Sequence, residues 1–201
     1  QGGVWKTIDG GLNWTVLTDN LGSISSGDIA IDPNNPDILY YGTGELNYSL
    51  DSQYGDGIYK STNAGLNWTK LSPSSQTGTY TGKILVDPSN SNNIYLAGNN
   101  GLLKSTNGGV NWLNNQSGNF TSLLINPDTA SILYASTGSS TSIIYKSTNS
   151  GDNWTVISVI SAGRRTQLAI SPDNTNYLYA SIAGSSGALL GLYRTTNAGA
   201  N

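Results

Sequence analysis

The sequence predicts an all-β chain assembled from four-stranded antiparallel units, and three observations predict it. An eight-residue pattern of hydroxyl, x, carboxylate or amide, x, Gly, two residues and Trp returns along the chain. It occurs as Thr7-Ile8-Asp9-Gly10-Gly11-Leu12-Asn13-Trp14, Ser61-Thr62-Asn63-Ala64-Gly65-Leu66-Asn67-Trp68, Ser105-Thr106-Asn107-Gly108-Gly109-Val110-Asn111-Trp112 and Ser147-Thr148-Asn149-Ser150-Gly151-Asp152-Asn153-Trp154. A fifth copy, Thr195-Thr196-Asn197-Ala198-Gly199-Ala200-Asn201, breaks off one residue before its Trp. The shared Gly at 11, 65, 109, 151 and 199 steps by 54, 44, 42 and 48 residues, a period that suits four-stranded repeats. Between the copies, a pair of apolar runs recurs, the first ending in Asp, Asn or Ser followed by Pro. Finally, 25 Gly and 12 Tyr with only 10% charged residues describe a turn-dense β protein.

Each eight-residue copy reads as a hairpin turn. The Gly two places after Asp or Asn takes positive φ at no steric cost. The Asp or Asn side chain accepts from backbone N–H groups across the turn, and the Ser or Thr hydroxyl closes the same loop. The Trp opens the outgoing strand and folds back over the turn, so each copy is expected to be a self-contained clamp.

Taken in order, residues 1–17 are two strands joined by the first turn, half of a unit. Residues 28–32 form an apolar strand, and Pro33-Asn34-Asn35-Pro36 is expected to be loop because neither Pro can donate to a ladder. Residues 38–42 form the next strand. The same pair returns at 84–88 with 94–97, at 123–127 with 132–135, and at 168–172 with 177–180. The first strand of each pair is a nearly continuous apolar run, as expected where both faces are covered. A third strand ends in Lys before Ser, and a fourth begins at Asn-Trp. The expected units are residues 27–71, 80–114 and 120–157, with 165–201 lacking its fourth strand. The loops sort into two faces, the turn copies on one and the long 44–57 loop on the other.

The repeated turn resembles the Asp-box, or BNR repeat, of sialidases, sortilin-type domains, xyloglucanase-like glycoside hydrolases and Ycf48-type assembly factors. That resemblance implies a β-propeller, here a partial one of three complete blades and two partial ones. It also implies that the box is a structural turn away from the ligand face. Four of the five copies carry Asn where the family has Asp, which keeps the acceptor and removes the charge. The phrasing Gly-Ile-Tyr-Lys-Ser-Thr-Asn-Ala-Gly-Leu-Asn-Trp beside Tyr-Gly-Thr-Gly-Glu resembles large secreted Bacteroidetes surface proteins. Many of those leave the cell by the type IX route, so the resemblance implies an extracellular or cell-surface module, adhesin-like, with the periplasm as a second location. Because the sequence opens and stops inside repeats, the expected neighbour is the remainder of its own propeller.

Composition removes several chemistries. The chain has no Cys and no His, so disulfides, thiol redox chemistry, Cys–zinc sites and the usual general base are absent. A net charge of −3 argues against nucleic acid, and no run approaches the ~18 apolar residues of a membrane span. Lys6, Lys60, Lys104, Lys146 and Arg194 share one repeat column directly before the turn, which marks them as structural.

The candidate site is the 44–57 loop, with Glu45, Tyr48, Asp51, Tyr54 and Asp56. Its carboxylates suit a hard cation, calcium on Glu45, Asp51 and Asp56, and its Tyr residues suit a sugar ring. The alternative is an ordered connector. Arg164 and Arg165 lie on the same face and suit an anion, although neighbours on a strand point to opposite sides. A sialidase needs three converging Arg, and Arg194 belongs to the structural column. A xyloglucanase-like hydrolase needs two facing carboxylates; Asp19, Asp28, Glu45, Asp51 and Asp56 are the ones not placed in turns. No catalytic residue is assigned. The expected function is a non-catalytic binding or scaffolding module, with carbohydrate or another surface protein as partner. The alternatives are a glycoside hydrolase completed by residues elsewhere and a protein-binding assembly factor.

Overall fold

The structure is a computed structural model that describes residues 2–46 and 51–200. Among the described residues it holds 17 strands and one helical turn. The strands are β1 (Trp5–Lys6), β2 (Thr15–Val16), β3 (Ser26–Asp32), β4 (Asn35–Thr43), β5 (Gly57–Ser61), β6 (Thr69–Pro73), β7 (Thr81–Val86), β8 (Ile94–Gly98) and β9 (Gly101–Ser105). They continue as β10 (Leu113–Gln116), β11 (Phe120–Ile125), β12 (Leu133–Thr137), β13 (Thr141–Ser147), β14 (Thr155–Ser161), β15 (Gly163–Ile170), β16 (Leu178–Gly184) and β17 (Leu189–Thr195). The helical turn α1 (Ser74–Thr77) links β6 to β7.

Every sheet is an antiparallel meander in chain order: β1–β2, β3–β6, β7–β10, β11–β14 and the three-stranded β15–β17. The fold class expected from the sequence, an all-β propeller-type array of four-stranded sheets, is the one observed. In each sheet from the second onward the first strand is innermost, since β3 lies against β7, β7 against β11 and β11 against β15. Side chains lace these inner strands together. Asp28 Oδ2 accepts from the Ile84 amide at 2.8 Å, and Ser122 Oγ from the Leu168 amide at 3.1 Å.

The core is divided between the sheets rather than shared in one block. Tyr40 and Ile58 of the second sheet meet Ile84, Ile94 and Leu96 of the third. Tyr95 and Leu102 of the third meet Phe120, Leu123 and Leu133 of the fourth, and Tyr134 and Ile144 of the fourth meet Leu168, Leu178 and Ile182 of the fifth. Fully burying one such side chain stabilises by about 1.5–3 kcal/mol, so each interface is a local hydrophobic core. This is the one-dimensional logic of repeat proteins, in which each unit depends on its neighbours.

Two local expectations need correction. Pro36 lies inside β4, near its exposed start, and only Pro33 and Asn34 form the loop, because Asp32 pairs with Asn35. The register then shifts between Ile31 and Asp32, so the ladder does not require a donor at Pro36. The turns, moreover, are not self-contained. Each one from the second onward seats on the sheet before it: Gly65 backs onto Leu17, Gly109 onto Leu71 and Tyr40, Gly151 onto Tyr95, and Gly199 onto Ile157. A tryptophan too large to be covered by its own two-strand turn finds cover on the neighbouring sheet.

Candidate functional site

The eight-residue turn keeps the same internal bonds in successive copies. The hydroxyl accepts from the Gly amide, at 2.9 Å for Thr7 and Gly11, 2.8 Å for Ser61 and Gly65, 2.9 Å for Ser105 and Gly109, 2.9 Å for Ser147 and Gly151, and 3.3 Å for Thr195 and Gly199. The same hydroxyl donates to Asp9, Asn63, Asn107, Asn149 or Asn197. Those side chains accept in turn from the amide four residues on in the first four copies, at 2.9–3.0 Å. Asn therefore does the structural work of Asp. The residue before the shared Gly is left-handed every time, with φ of 72° at Gly10, 55° at Ala64, 70° at Gly108, 57° at Ser150 and 54° at Ala198.

The Lys column explains itself through these seats. Lys6 Nζ donates to Ala64 O at 3.2 Å and Lys146 Nζ to Ala198 O at 3.0 Å, each on the turn of the following sheet. Lys104 instead pairs with Asp152 of the next turn at 2.7 Å. Lys60, Lys104 and Lys146 also lie over the rings of Tyr40, Tyr95 and Tyr134, 5.1–6.0 Å from the centroids. These cations are latches between sheets.

On the opposite face, the 44–57 loop is bound into its surroundings. The Gly44 amide donates to Ser25 O, the Gly55 amide to Thr79 O and the Thr81 amide to Gly44 O, while Glu45 bridges Thr81. Ser25 Oγ donates to Gln53 O and Ser23 Oγ to Tyr54 O. Gly44 is required here: its φ is +88°, and a side chain would run into the Thr79 carbonyl. The loop therefore spans the approach to β3 and the approach to β7.

This anchoring leaves Tyr54 70% exposed with its ring stacked on Tyr80, centroids 5.2 Å apart and planes tilted 32°. Loss of water and the Tyr54 hydroxyl beside it push the Tyr80 phenol above its ordinary range, so the Tyr80 ring stays neutral at physiological pH. Amides flank the pair. Asn99 Oδ1 accepts from the Tyr80 amide at 2.9 Å, and Asn100 Nδ2 donates to Gln76 O at 2.8 Å. Tyr80 was not legible as a site residue, since nothing in its local sequence marks it and only the fold brings it to Tyr54.

The candidate carboxylates separate into different roles. Asp56 accepts from Tyr59 at 2.7 Å, Lys70 at 3.1 Å and Thr43 at 3.3 Å. Burial alone would raise its carboxyl, but these donors more than offset burial and hold it below its ordinary value. Tyr59 is pushed up to about 12 by burial and by Asp56. Asp28 is held by Lys83 at 3.1 Å and by the Ile84 amide. Glu45 and Asp51 stay on the loop, and Tyr48 lies outside the described residues. Among the described residues no three acidic side chains gather as a metal cage, so Glu45, Asp51 and Asp56 do not converge. Arg164 and Arg165 sit on β15, three sheets further along the chain, and Arg164 Nη1 donates to Ser185 O at 3.3 Å. Among the described residues no helix is long and apolar enough to cross a membrane.

No family model matches the chain. It is 28% identical to a xyloglucanase of Hypocrea jecorina over 164 residues, covering 78% of this chain and 17% of that protein. The crystal structure of a GH74 enzyme from Niastella koreensis superposes with a TM-score of 0.71 at 25% identity, over 90% of this chain and 30% of that one. YCF48 from Cyanidioschyzon merolae superposes with a TM-score of 0.55 at 16% identity, over 98% of this chain and 64% of that one, a likeness of fold. The chain thus spans about a sixth of the length of the curated relative it matches, and is similar over that stretch to xyloglucanase propellers.

Proposed function

We infer that this chain is a glycan-binding stretch of an extracellular β-propeller protein, and that its ligand is a neutral β-linked polysaccharide of the xyloglucan class. The observation that carries this reading is the exposed Tyr54–Tyr80 pair on the loop face, anchored by backbone hydrogen bonds and flanked by amides. Sugar rings present C–H faces that stack on aromatic rings and hydroxyls that suit amide partners, and neither interaction needs charge. The similarity to xyloglucanases supports the ligand class. A polymeric glycan of this kind is met outside the cell, which agrees with the location implied by the sequence.

Binding without hydrolysis is the reading favoured for these residues. Asp28 and Asp56, two of the carboxylates expected to be available, are each committed to a lysine and a further donor. The enzyme reading rests on the same similarity and would use Glu45 or Asp51, which share the loop with Tyr54. Calorimetry with xyloglucan oligosaccharides separates the two. Binding that Tyr54→Ala weakens at least about tenfold, roughly the 1.4 kcal/mol of one good stacking contact, supports the reading. Unchanged binding in Tyr54→Ala overturns it, and release of reducing ends that Glu45→Gln or Asp51→Asn abolishes would establish the enzyme instead.

A further inference from the structure

The chain has no cysteine, so no disulfide can fasten one sheet to the next. Tyrosine offers another covalent bridge, a carbon–carbon bond between the ring positions ortho to two hydroxyls, and the fold decides which of the 12 tyrosines can meet. Tyr40, Tyr41, Tyr59, Tyr95 and Tyr134 are buried. Tyr41 and Tyr59 are partners across β4 and β5, yet their hydroxyls are engaged, Tyr41 with Ser26 at 3.0 Å and Tyr59 with Asp56 at 2.7 Å. An oxidant in solution does not reach that pair.

Tyr54 and Tyr80 are placed differently. Tyr54 is 70% exposed and Tyr80 is half-buried. Their ring centroids lie 5.2 Å apart with the planes tilted 32°, and among the described residues no other two tyrosine rings stack. The two hydroxyls lie side by side. An ortho carbon is bonded to the carbon that carries the hydroxyl, so neighbouring hydroxyls bring the ortho carbons of the two rings close as well.

Backbone contacts on both sides hold the rings there. The Gly55 amide donates to Thr79 O at 2.8 Å, a bond between the residue after Tyr54 and the residue before Tyr80. Ser23 Oγ donates to Tyr54 O at 3.2 Å. Asn99 clasps the other partner: its Oδ1 accepts from the Tyr80 amide at 2.9 Å, its backbone amide donates to Tyr80 O at 3.2 Å, and its Nδ2 donates to Thr79 Oγ1 at 3.1 Å. Two reacting groups fixed in this way couple in an effectively unimolecular step, which outruns coupling between separate molecules.

We propose that Tyr54 and Tyr80 form an oxidative cross-linking site, at which a peroxidase acting with hydrogen peroxide joins the 44–57 loop to the link between α1 and β7 through a dityrosine bond. Each phenol gives up one electron and its hydroxyl proton. The two phenoxyl radicals pair their electrons in one bond between ortho carbons, and the hydrogen on each of those carbons moves to its oxygen, which restores both aromatic rings. Hydrogen peroxide takes up the two electrons and two protons and leaves as two waters, so the chain loses two hydrogens in all. The bridge closes a loop between residues 26 positions apart and restricts the unfolded chain as a disulfide would. It also locks the long loop of the second sheet to the entry of the third.

Oxidation of the whole chain at low concentration with a peroxidase and hydrogen peroxide, followed by tryptic digestion and mass spectrometry, tests this. The expected product is a monomer lighter by two hydrogens, in which the peptide of residues 7–60 is joined to that of residues 71–83. Tyr80 is the single tyrosine of the second peptide, so the join reports on it directly. Tyr54→Phe is expected to lower the yield of the joined peptides at least about tenfold, the loss of a pre-positioned partner. Tyr54 is exposed and phenylalanine keeps its ring, so the variant is expected to retain the parent's circular dichroism and a lost bridge is not a lost fold. A join that survives in Tyr54→Phe overturns the proposal by placing the partner of Tyr80 elsewhere in residues 7–60. So does a parent chain that gives only dimers joined between molecules, or no joined peptides at all. No glycan enters this experiment, so its outcome is independent of the glycan-binding reading.

Discussion

The first and third turns of the chain have the same hydrogen bonds and different surroundings. In both, the hydroxyl accepts from the Gly amide at 2.9 Å and the acid or amide accepts from the amide four residues on at 2.9 Å. Trp14 nevertheless keeps its indole N–H on its own turn, at Gly11 O, and stays exposed, while Trp112 reaches across to Ser72 of the preceding sheet. Ser105 is buried and Thr7 is not. The geometry of the turn is thus a property of eight residues, whereas its contribution to stability belongs to the sheet that covers it.

The largest test of that difference is to remove the two indoles in turn. Trp112→Ala is expected to cost about 3 kcal/mol, the lower end for a large aromatic because Trp112 is half-buried. Trp14→Ala is expected to stay within about 0.5 kcal/mol, as for a surface position. Urea unfolding of both variants measures the gap, and equal costs would show the turns to be independent clamps after all. The hydroxyls come next. Ser105→Ala strands the buried Gly109 amide and is expected to cost about 1–3 kcal/mol, against less than about 1 for Thr7→Ala, whose partners can turn to water.

A smaller effect of opposite sign lies at the residue before the shared Gly. Two copies have Gly there, and Ala64 holds φ 55° with its amide bonded to Asp37 O. Ala64→Gly relieves a left-handed alanine but loosens the unfolded chain, and a net gain of about 0.5 kcal/mol is expected. A loss on thermal unfolding would mean that the alanine methyl packs against something that glycine forfeits.

What the sequence makes legible follows the same division. Hydroxyl, amide, Gly and Trp at fixed separations are local quantities, so the turns and the strands they join could be read directly. The seating of Gly109 on Leu71 and of Lys146 on Ala198 joins residues some 40 to 50 positions apart, and only the array brings them together. The site shows the same limit. Tyr54 stands out within an unusually long loop, yet its partner Tyr80 belongs to the link between α1 and β7 and has no distinguishing neighbours. Asp28 and Asp56 looked available because Lys83 and Lys70, which hold them, are 55 and 14 residues away. Asp152, read only as part of a turn, proves to be the partner of Lys104.

The smallest effect separates the first turn from the others by charge. Asp9 is the single carboxylate at a position filled by Asn in the other four copies. Its backbone bond from Asn13, then the Asn13 side chain and Thr7, lower its carboxyl from 3.8 to about 2. A carboxyl depressed in the folded state stabilises fully above its unfolded value and loses that contribution as pH falls through the folded one. The first turn should therefore loosen between pH 4 and about 2, while the Asn turns have nothing to protonate. In a pH series of amide spectra, the Asn13 signal is expected to move with a midpoint near 2 and those of Asn67, Asn111 and Asn153 to stay in place. Asp9→Asn should flatten the Asn13 titration and leave the turn closed, because the amide oxygen alone accepts the same backbone bond in the other copies. A midpoint near the ordinary 3.8 would mean that the bonds from Asn13 do not hold in solution, and that even the geometry of this turn depends on a covering sheet.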